Sequence, residues 1–550
     1  MKKIFEPKLI TVFQEGYSLA LFWKDLTAGI IIGILAFPMS IAFAVASDVR
    51  PEQGLITAII AGFLISALGG SRVQIGGPTG AFIVIILGVV HVYGYEGLAL
   101  ATLLAGGILV VMGLVRLGDV IKFIPYPVTV GFTSGIALII FTSQIRYFFG
   151  FDITPPEQFI DQWCLYFSQV ANINPWSVIL GMMTIAIMTF WPKSKLFIPA
   201  SLVAIVVTTL AVMIFHLPVA TIGSRFGEIG HQLEPLRVPR ASWDMIKQIF
   251  PSALTIALLA GIESLLSAVV ADGMTGRRHR SNTELIAQGV ANIASSLFGG
   301  IPATGAIART ATNIKLGGKT PIAGIIHAFT LLLVFFFFAP LVKLIPMASL
   351  SGILIVISYH MSEWRLFAKL FRSPKSDILV LLTTFLLTVF VNLTTAIEVG
   401  IIMAAFLFMR RMIEVTQISS LTDDEDSQDQ AASYKNIVPS GVEIYEIYGP
   451  FFFGAADKFR ETMRGLEKSP DVLILRMRHV PAMDATGLRA LEDVFDKCSR
   501  DHVIIILAGV QSQPLELLKA NGLTEKIGVK NICGSIEEAI ERSRELQSGG

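Results

Sequence analysis

Apolar runs of about 20 residues, the length a helix needs to cross a bilayer, recur from Asp25 to Val415. They predict spans over 25–46, 53–69, 78–93, 97–115, 126–147, 174–191, 197–215, 249–271, 284–299, 303–316, 321–344, 347–361, 377–391 and 395–415, fourteen in all. The spans opening near 78 and 303 are short and begin with Gly and Pro. Residues 419–440, including TDDEDSQDQAAS, are polar and acidic and predict a linker. Beyond it the period changes. GVEIYEIYG (441–449) alternates as a strand does, DVLILRMR (471–478) is a buried strand, and DATGLRALEDVFDKC (484–498) is a helix with Asp484 as its N-cap. Further strands and helices alternate to the end of the sequence. The expected architecture is an all-α polytopic membrane domain followed by a small α/β domain. The segments are 1–24, 25–416, 417–440 and 441–550.

Composition agrees. Of 550 residues, 53% are hydrophobic and 15% are charged, against about 25% charged in soluble domains. An ordinary soluble enzyme is excluded, and the α/β segment offers no nucleophile–base pair or phosphate loop. That segment is read as a docking, dimerising or regulatory module. The net charge of +1 hides an asymmetry: 28 basic and 20 acidic residues up to Thr416, then 15 and 22 from Gln417 onward. With the N-terminus inside, the cytoplasmic segments hold 20 Lys and Arg and the outer ones 7. The bias predicts both termini in the cytoplasm. Residues 1–24 show no apolar stretch of signal-peptide type. The basic run at 277–280 flanks a cytoplasmic loop and does not suggest nucleic acid. GGKT (317–320) is not a phosphate loop, since Asn313 stands where that motif needs Gly. Three cysteines give neither a disulfide scaffold nor metal-ligand spacing, and no metal or cofactor is expected.

An internal repeat locates a candidate site. GGPTGAF (76–82) and GGIPATGAI (299–307) each place Gly-Gly and Pro ahead of Thr-Gly-Ala. Thr79-Gly80-Ala81 recurs as Thr304-Gly305-Ala306, at an offset of 225 that also sets Pro38 against Glu263. Two halves of seven spans have opposite membrane orientation, the mark of an inverted-repeat transporter. Broken backbone at mid-membrane is tolerated where it is buried in protein or lines a cavity. Two half-helix starts facing each other would offer unsatisfied N–H groups and positive dipole ends to an anion. Thr79 and Thr304 add hydroxyls. The bland alternative, that these small residues only let helices pack closely, stays open.

Ionisable residues within spans are functional candidates. Arg309, about a turn beyond Thr304-Gly305, can add positive potential to the anion site. Glu263, mid-span, is a candidate proton carrier, with Ser267 one turn on along the same face. A purely structural Glu263–Arg309 pair is the alternative. Asp272 is read as an anchor, Glu398 as interfacial, and His327 and His360 as packing residues.

The sequence resembles the sulfate permease (SulP) anion transporters over nearly its whole length. The likeness rests on DLTAGIIIGILAFPMSIAFAVAS (25–47), GGSRVQIGGPTGAF (69–82), GFTSGIA (131–137), ESLLSAVVADGMTG (263–276), NTELIAQGVANI (282–293) and ATGAIARTATN (303–313). The C-terminal segment is similar to the STAS domain of that family. Within the family, the GGSR…GPT, IESLL.AVV.DGMTG and FMRR (408–411) stretches are most similar to the branch of C4-dicarboxylate transporters. The resemblance implies a seven-plus-seven inverted repeat, with a core from spans 1–4 and 8–11 and a gate from spans 5–7 and 12–14. It also implies elevator movement and a homodimer. It puts substrate against Gly80, Ala81, Ala306, Ala308 and Arg309, and coupling at Glu263 and Ser267. Thr486 occupies the place of the phosphorylatable Ser of some STAS domains; a helix-start cap is its plainer role. Met39 departs from the Gln common in the family and removes a polar group near the site.

The expectation is a multi-pass secondary transporter of the bacterial inner membrane. It would import a small anionic substrate, a C4-dicarboxylate such as succinate, fumarate or aspartate, with H+ as coupling ion. The alternatives are a sulfate or bicarbonate transporter, Na+-coupled or not, an exchanger or channel of the same fold, or a sensor whose STAS domain meets a cytosolic partner.

Overall fold

A computed structural model describes residues 5–119, 125–156, 158–191, 198–228, 236–239, 242–421, 437–464 and 470–548. Most of the expected acidic linker, at 422–436, lies outside them, as do Lys2, Lys3, Lys122, Lys193, Lys195 and Arg240 of the charge count. The chain divides into two compact units, Met1–Ala404 and Ala405–Gly550.

The first unit is helical: α1 (Lys8–Glu15), α2 (Leu19–Ala46), α3 (Pro51–Leu68), α4 (Ile83–Leu114), α5 (Tyr126–Phe149), α6 (Phe159–Ser168), α7 (Pro175–Phe190), α8 (Ala200–Phe215), α9 (Ile222–Phe226), α10 (Trp243–Thr275), α11 (Ser281–Leu297), α12 (Ile307–Lys315), α13 (Pro321–Val342), α14 (Met347–Met361), α15 (Trp364–Leu370), α16 (Lys375–Phe390) and α17 (Leu393–Val415), whose last turns belong to the second unit. Local chemistry sets many ends. Asn174 caps α7 by accepting from Trp176 N at 3.0 Å, and Pro175 takes the first helical position. Ser242 caps α10, and Gly276 (φ 68°) ends it. Spans 78–93 and 97–115 are joined as α4, which is broken at Gly94 (φ 66°, ψ −173°), a left-handed backbone that suits glycine.

Among the described residues seven helices are long and apolar enough to cross a membrane, and α7 and α8 are shorter apolar helices. α12 has 9 residues, because its span opens with extended backbone. The amphipathic periods of α1, α6, α9 and α15 were too short to be read as separate elements. Large apolar side chains such as Phe190, Phe215 and Phe337 stand exposed on the helical unit, as a lipid-facing surface requires.

The helices sort into two groups. α2, α3, α4, α10, α11, α12 and α13 pack on one another, and α5, α7, α8, α14 and α16 on one another. α17 joins the second group at Gly400, where an added Cβ would lie 2.6 Å from Thr384 Oγ1. α2 and α4 supply the borders with the second group. Within the first group α4 and α11 approach backbone to backbone. A Cβ on Gly106 would stand 2.6 Å from the Gly289 carbonyl oxygen, and one on Gly289 2.5 Å from that of Gly106. The two groups comprise the spans that the family resemblance assigns to core and gate.

The second unit holds a five-stranded sheet, β3-β4-β5-β6-β7, from β3 (Gln417–Ser420), β4 (Val442–Tyr448), β5 (Val472–His479), β6 (Ile504–Ala508) and β7 (Ile532–Cys533). β3 is antiparallel to β4 and the rest are parallel. Residues 417–420 are thus an edge strand, a correction to the linker expected there; a four-residue stretch with no apolar alternation gave no strand signal. Helices α18 (Phe453–Arg464), α19 (Ala485–Arg500), α20 (Ser512–Ala520), α21 (Leu523–Ile527) and α22 (Ile536–Ser548) cover the sheet. Side chains alternate along the strands. Leu473, Leu475 and Met477 face one core with Phe459 and Leu491, while Val472 and Ile474 face another with Ile536 and Ile540.

Candidate functional site

The two Gly-Gly and Thr-Gly-Ala breaks meet. Gly76–Gly77 (β1) and Thr304–Gly305 (β2) pair antiparallel, Gly76 opposite Gly305 and Gly77 opposite Thr304. The Ala306 N–H continues the ladder by donating to Ile75 O at 2.9 Å. Antiparallel pairing of equivalent segments is what opposed halves require. A helix then starts on each side. On one, Gly80–Phe82 forms a 3-10 turn whose first bond runs from Phe82 N to Thr79 O, so the N–H groups of Gly80 and Ala81 have no partner within it. On the other, α12 begins with the bond from Thr310 N to Ala306 O, which leaves Ile307, Ala308 and Arg309 N–H in the same position.

The broken backbone is held by polar side chains. Asn292 clamps the Ala303 peptide, donating to its oxygen and accepting from its N–H at 2.9 Å each. Thr57 Oγ1 accepts from Ile301 N at 2.7 Å, and Ser295 donates to Ile301 O at 2.8 Å. Thr310 Oγ1 accepts from Ile75 N at 3.1 Å, and Asn313 donates to Val73 O at 2.9 Å. Unpaired backbone at this depth would cost several kcal/mol per group, on the order of the desolvation penalty.

Around this frame the predicted residues fall as follows. Thr79 donates to Glu263 Oε2 at 3.0 Å, which brings the mid-span carboxyl to the first tip. Arg309 is 2% exposed; its Nη2 donates to Pro78 O and its Nη1 is buried without a hydrogen-bond partner. The side chain passes beneath Gly77, where a Cβ would lie 2.7 Å from Nη1. Gly80 and Ala81 are buried, and Ala308 is exposed at the start of α12. An added Cβ on Gly80 would touch Phe43, Ile140 and Met361 at 3.5–3.6 Å. These come from α2, α5 and α14, so the tip sits where the two helix groups border each other.

Other predicted residues serve the frame. Thr304 donates to Ala260 O at 2.8 Å, and Ser267 to Thr310 Oγ1 at 3.2 Å. Gly305 packs on the Gln74 amide. Asp272 accepts from the His279 backbone N–H at 3.0 Å and meets its ring at 2.7 Å. In the second unit Asp484 caps α19, accepting from Gly487 N at 2.7 Å, so the capping role considered for Thr486 belongs to Asp484. Thr486 stands exposed.

One constellation was missed. Glu284 is fully buried and accepts from Gly70 N (2.8 Å), Ser71 N (3.1 Å), Ser264 Oγ (3.2 Å) and Gln288 Nε2 (2.9 Å). Gln74 Nε2 donates to Ser264 Oγ at 2.8 Å, linking this network to the β1–β2 tip. The signal was present in NTELIAQGVANI: Glu284, Gln288 and Asn292 recur every fourth residue and form one polar stripe along the helix.

The profile of the sulfate permease family matches residues 22–384, and that of the STAS domain matches 435–539. The chain belongs to the sulfate permease family. Its likeness runs the full length of known members. YvdB of Bacillus subtilis (strain 168), provisionally named a sulfate transporter, is 43% identical over 95% of this chain and 98% of its own. The bicarbonate transporter BicA of Picosynechococcus sp. is 30% identical over 94% of each. The structure of the murine Slc26a9 anion transporter in its inward-facing state superposes with a TM-score of 0.88 over 98% of this chain and 94% of that one; at 19% identity the likeness is one of fold. For the sulfate permease family, a multi-pass helical domain with a STAS domain after it is the shared plan, and the β1–β2 contact lies in the part matched by the family profile.

Proposed function

We propose that the chain is a secondary carrier of a small inorganic oxyanion, bicarbonate or sulfate, bound between Thr79–Ala81 and Thr304–Arg309. One observation carries this reading: two backbone breaks pair at Gly76–Gly305 and Gly77–Thr304, with the buried Arg309 guanidinium beside them. First-turn N–H groups on both sides and a buried cation suit an anion that is desolvated on entry. Glu263, bonded to Thr79, is the residue proposed to exchange a proton as the anion comes and goes, with Na+ the alternative coupling ion. The border between the helix groups at Gly80 supports an elevator movement in which the first group carries the site past the second.

The C4-dicarboxylate expectation rested on short stretches, whereas the full-length relatives YvdB and BicA bear sulfate and bicarbonate names. The inorganic oxyanion is therefore the leading reading. Cytoplasmic termini and a homodimer complete the proposal.

Uptake of labelled bicarbonate, sulfate and succinate into proteoliposomes, under an imposed pH or Na+ gradient, tests it. Accumulation of an inorganic anion that follows the pH gradient is expected. Accumulation of succinate alone would restore the dicarboxylate, dependence on Na+ alone would move the coupling ion, and no uptake of any of the three would end the carrier reading.

A further inference from the structure

We propose a second oxyanion site, built from Arg146 and Arg225, at the end of the helical unit where the α2–α3 turn meets α5, α6 and α9. Arg146, in the last turn of α5, is 8% exposed. Its Nη2 donates to Tyr147 Oη at 2.6 Å and lies 4.0 Å from Asp48 Oδ1. Its Nε is buried with no partner. Arg225, in α9, donates to the same Asp48 oxygen at 3.1 Å. Both guanidinium carbons lie over the Tyr147 ring, at 4.3 and 5.1 Å from its centre. Two cations thus share one carboxylate oxygen, and the neighbouring Arg50 and Glu52 neutralise each other at 2.7 Å. Tyr166 Oη, on α6 and within electrostatic reach of Arg146, is a second buried polar atom without a partner.

A guanidinium N–H and a hydroxyl left unpaired in a buried place are unfavourable. An oxyanion that accepts from the Arg146 Nε–H would satisfy that group and offset the excess positive charge, with the Tyr166 hydroxyl as a further donor within electrostatic reach of Arg146. Ile140 flanks the Gly80 tip, and Arg146 lies six residues further along α5, roughly 9 Å by helical rise. The positive-inside count puts this end of α5 outside. The site is therefore placed to gather external anions ahead of the Gly80–Arg309 site. That role rests on the proposed carrier function; the binding itself does not.

Binding of radiolabelled sulfate to the purified full chain in nanodiscs tests the site, beside uptake by the same variants. Arg225→Gln should weaken an Arg309-independent binding component at least tenfold. Asp48→Asn, which removes the competing carboxylate at a backbone conformation (φ 55°) that Asn accepts, should tighten it severalfold, a gain that misfolding cannot produce. Arg309→Gln should leave it in place. If Asp48→Asn weakens binding as Arg225→Gln does, the three residues are only an ion-pair latch and the proposal falls. Sulfate binding indifferent to Arg225 also overturns it, even where uptake persists. Arg225-dependent binding in a protein that takes up no anion would uphold the site and remove the carrier reading alone.

Discussion

Thr79 and Glu263 stand 184 positions apart and share a hydrogen bond of 3.0 Å, the hydroxyl donating to Oε2. The bond ties the backbone break of the first repeat to the opening span of the second. Its consequence is specific. Glu263→Gln keeps an oxygen that accepts from Thr79 but removes the proton site. The variant should fold and bind anion yet lose accumulation driven by a pH gradient, read as uptake into proteoliposomes. A Thr79→Val and Glu263→Ala double-mutant cycle, in which each single change removes the bond, should show a coupling of about 0.5–3 kcal/mol in thermal unfolding. Normal pH-driven accumulation by Glu263→Gln would remove the coupling role.

Arg309 joins the other side of the site. Its Nη2 donates to Pro78 O while Nη1 is left for a ligand. Arg309→Ala should weaken anion binding by about 10- to 100-fold, the equivalent of a charge-assisted bond of about 1.5–3 kcal/mol. Arg309→Lys, which keeps the charge without the planar fork, should fall between. Equilibrium binding of the transported anion measures both, and an unchanged affinity in Arg309→Ala would reject the electrostatic role.

Much of this frame was legible in the sequence because its signals are local. Gly-Gly and Pro before Thr-Gly-Ala mark a broken helix, and the repeat at 79 and 304 announces two of them. What the letters could not supply is partner choice at long range. Thr79 and Thr304 look equivalent, yet one reaches a carboxylate and the other the Ala260 carbonyl. Asp25, at the start of the first span, accepts from Lys319 N at 2.8 Å and from Thr320 N at 3.2 Å, so it anchors the start of α13 almost 300 residues away. Nothing near Asp25 in the chain announces that. Span 303–316 was read as short, but its extended lead-in depends on pairing with Gly76–Gly77, a tertiary event.

Glu284 is a prediction about stability. Its two oxygens accept four hydrogen bonds in the interior. Glu284→Gln puts an NH2 group where an acceptor is needed, against either the Gly70 and Ser71 N–H groups or Ser264 and Gln288. Each buried donor left without a partner costs about 1–3 kcal/mol. A fall in the thermal unfolding midpoint in detergent is expected, larger than for Glu398→Gln. A midpoint within error of the parent would show the network to be dispensable.

The second unit gives a pH-dependent expectation. Burial pushes the Cys498 thiol up to about 11, with nearby Lys497 opposing the shift and Asp501 adding to it. An unfolded thiol titrates at about 8.5. The folded state therefore favours the neutral thiol. The stability this contributes is fully present below about pH 8.5 and is lost as pH rises through about 11. Iodoacetamide at pH 8 should label exposed Cys164 and spare Cys498 until denaturant is added. Equal labelling rates of the two in the folded protein would contradict the burial.

The contact between the two breaks can be tested by steric compensation. Gly305 faces the Gln74 side chain so closely that an added Cβ would overlap the amide. That amide is itself held by Ser264 at 2.8 Å, so it cannot swing away without losing a buried hydrogen bond. Gly305→Ala should therefore displace β2 from β1 and abolish transport and anion binding together. Gln74→Ala alone opens space and frees Ser264, with a modest loss. In the Gly305→Ala and Gln74→Ala double variant the new methyl group occupies the space vacated by the amide. Anion binding should then recover well above that of Gly305→Ala. Were the double variant as inactive as Gly305→Ala, the glycine would be needed for something other than its approach to Gln74, and the tight seating of the two breaks could not be the reason that the sequence keeps a glycine there.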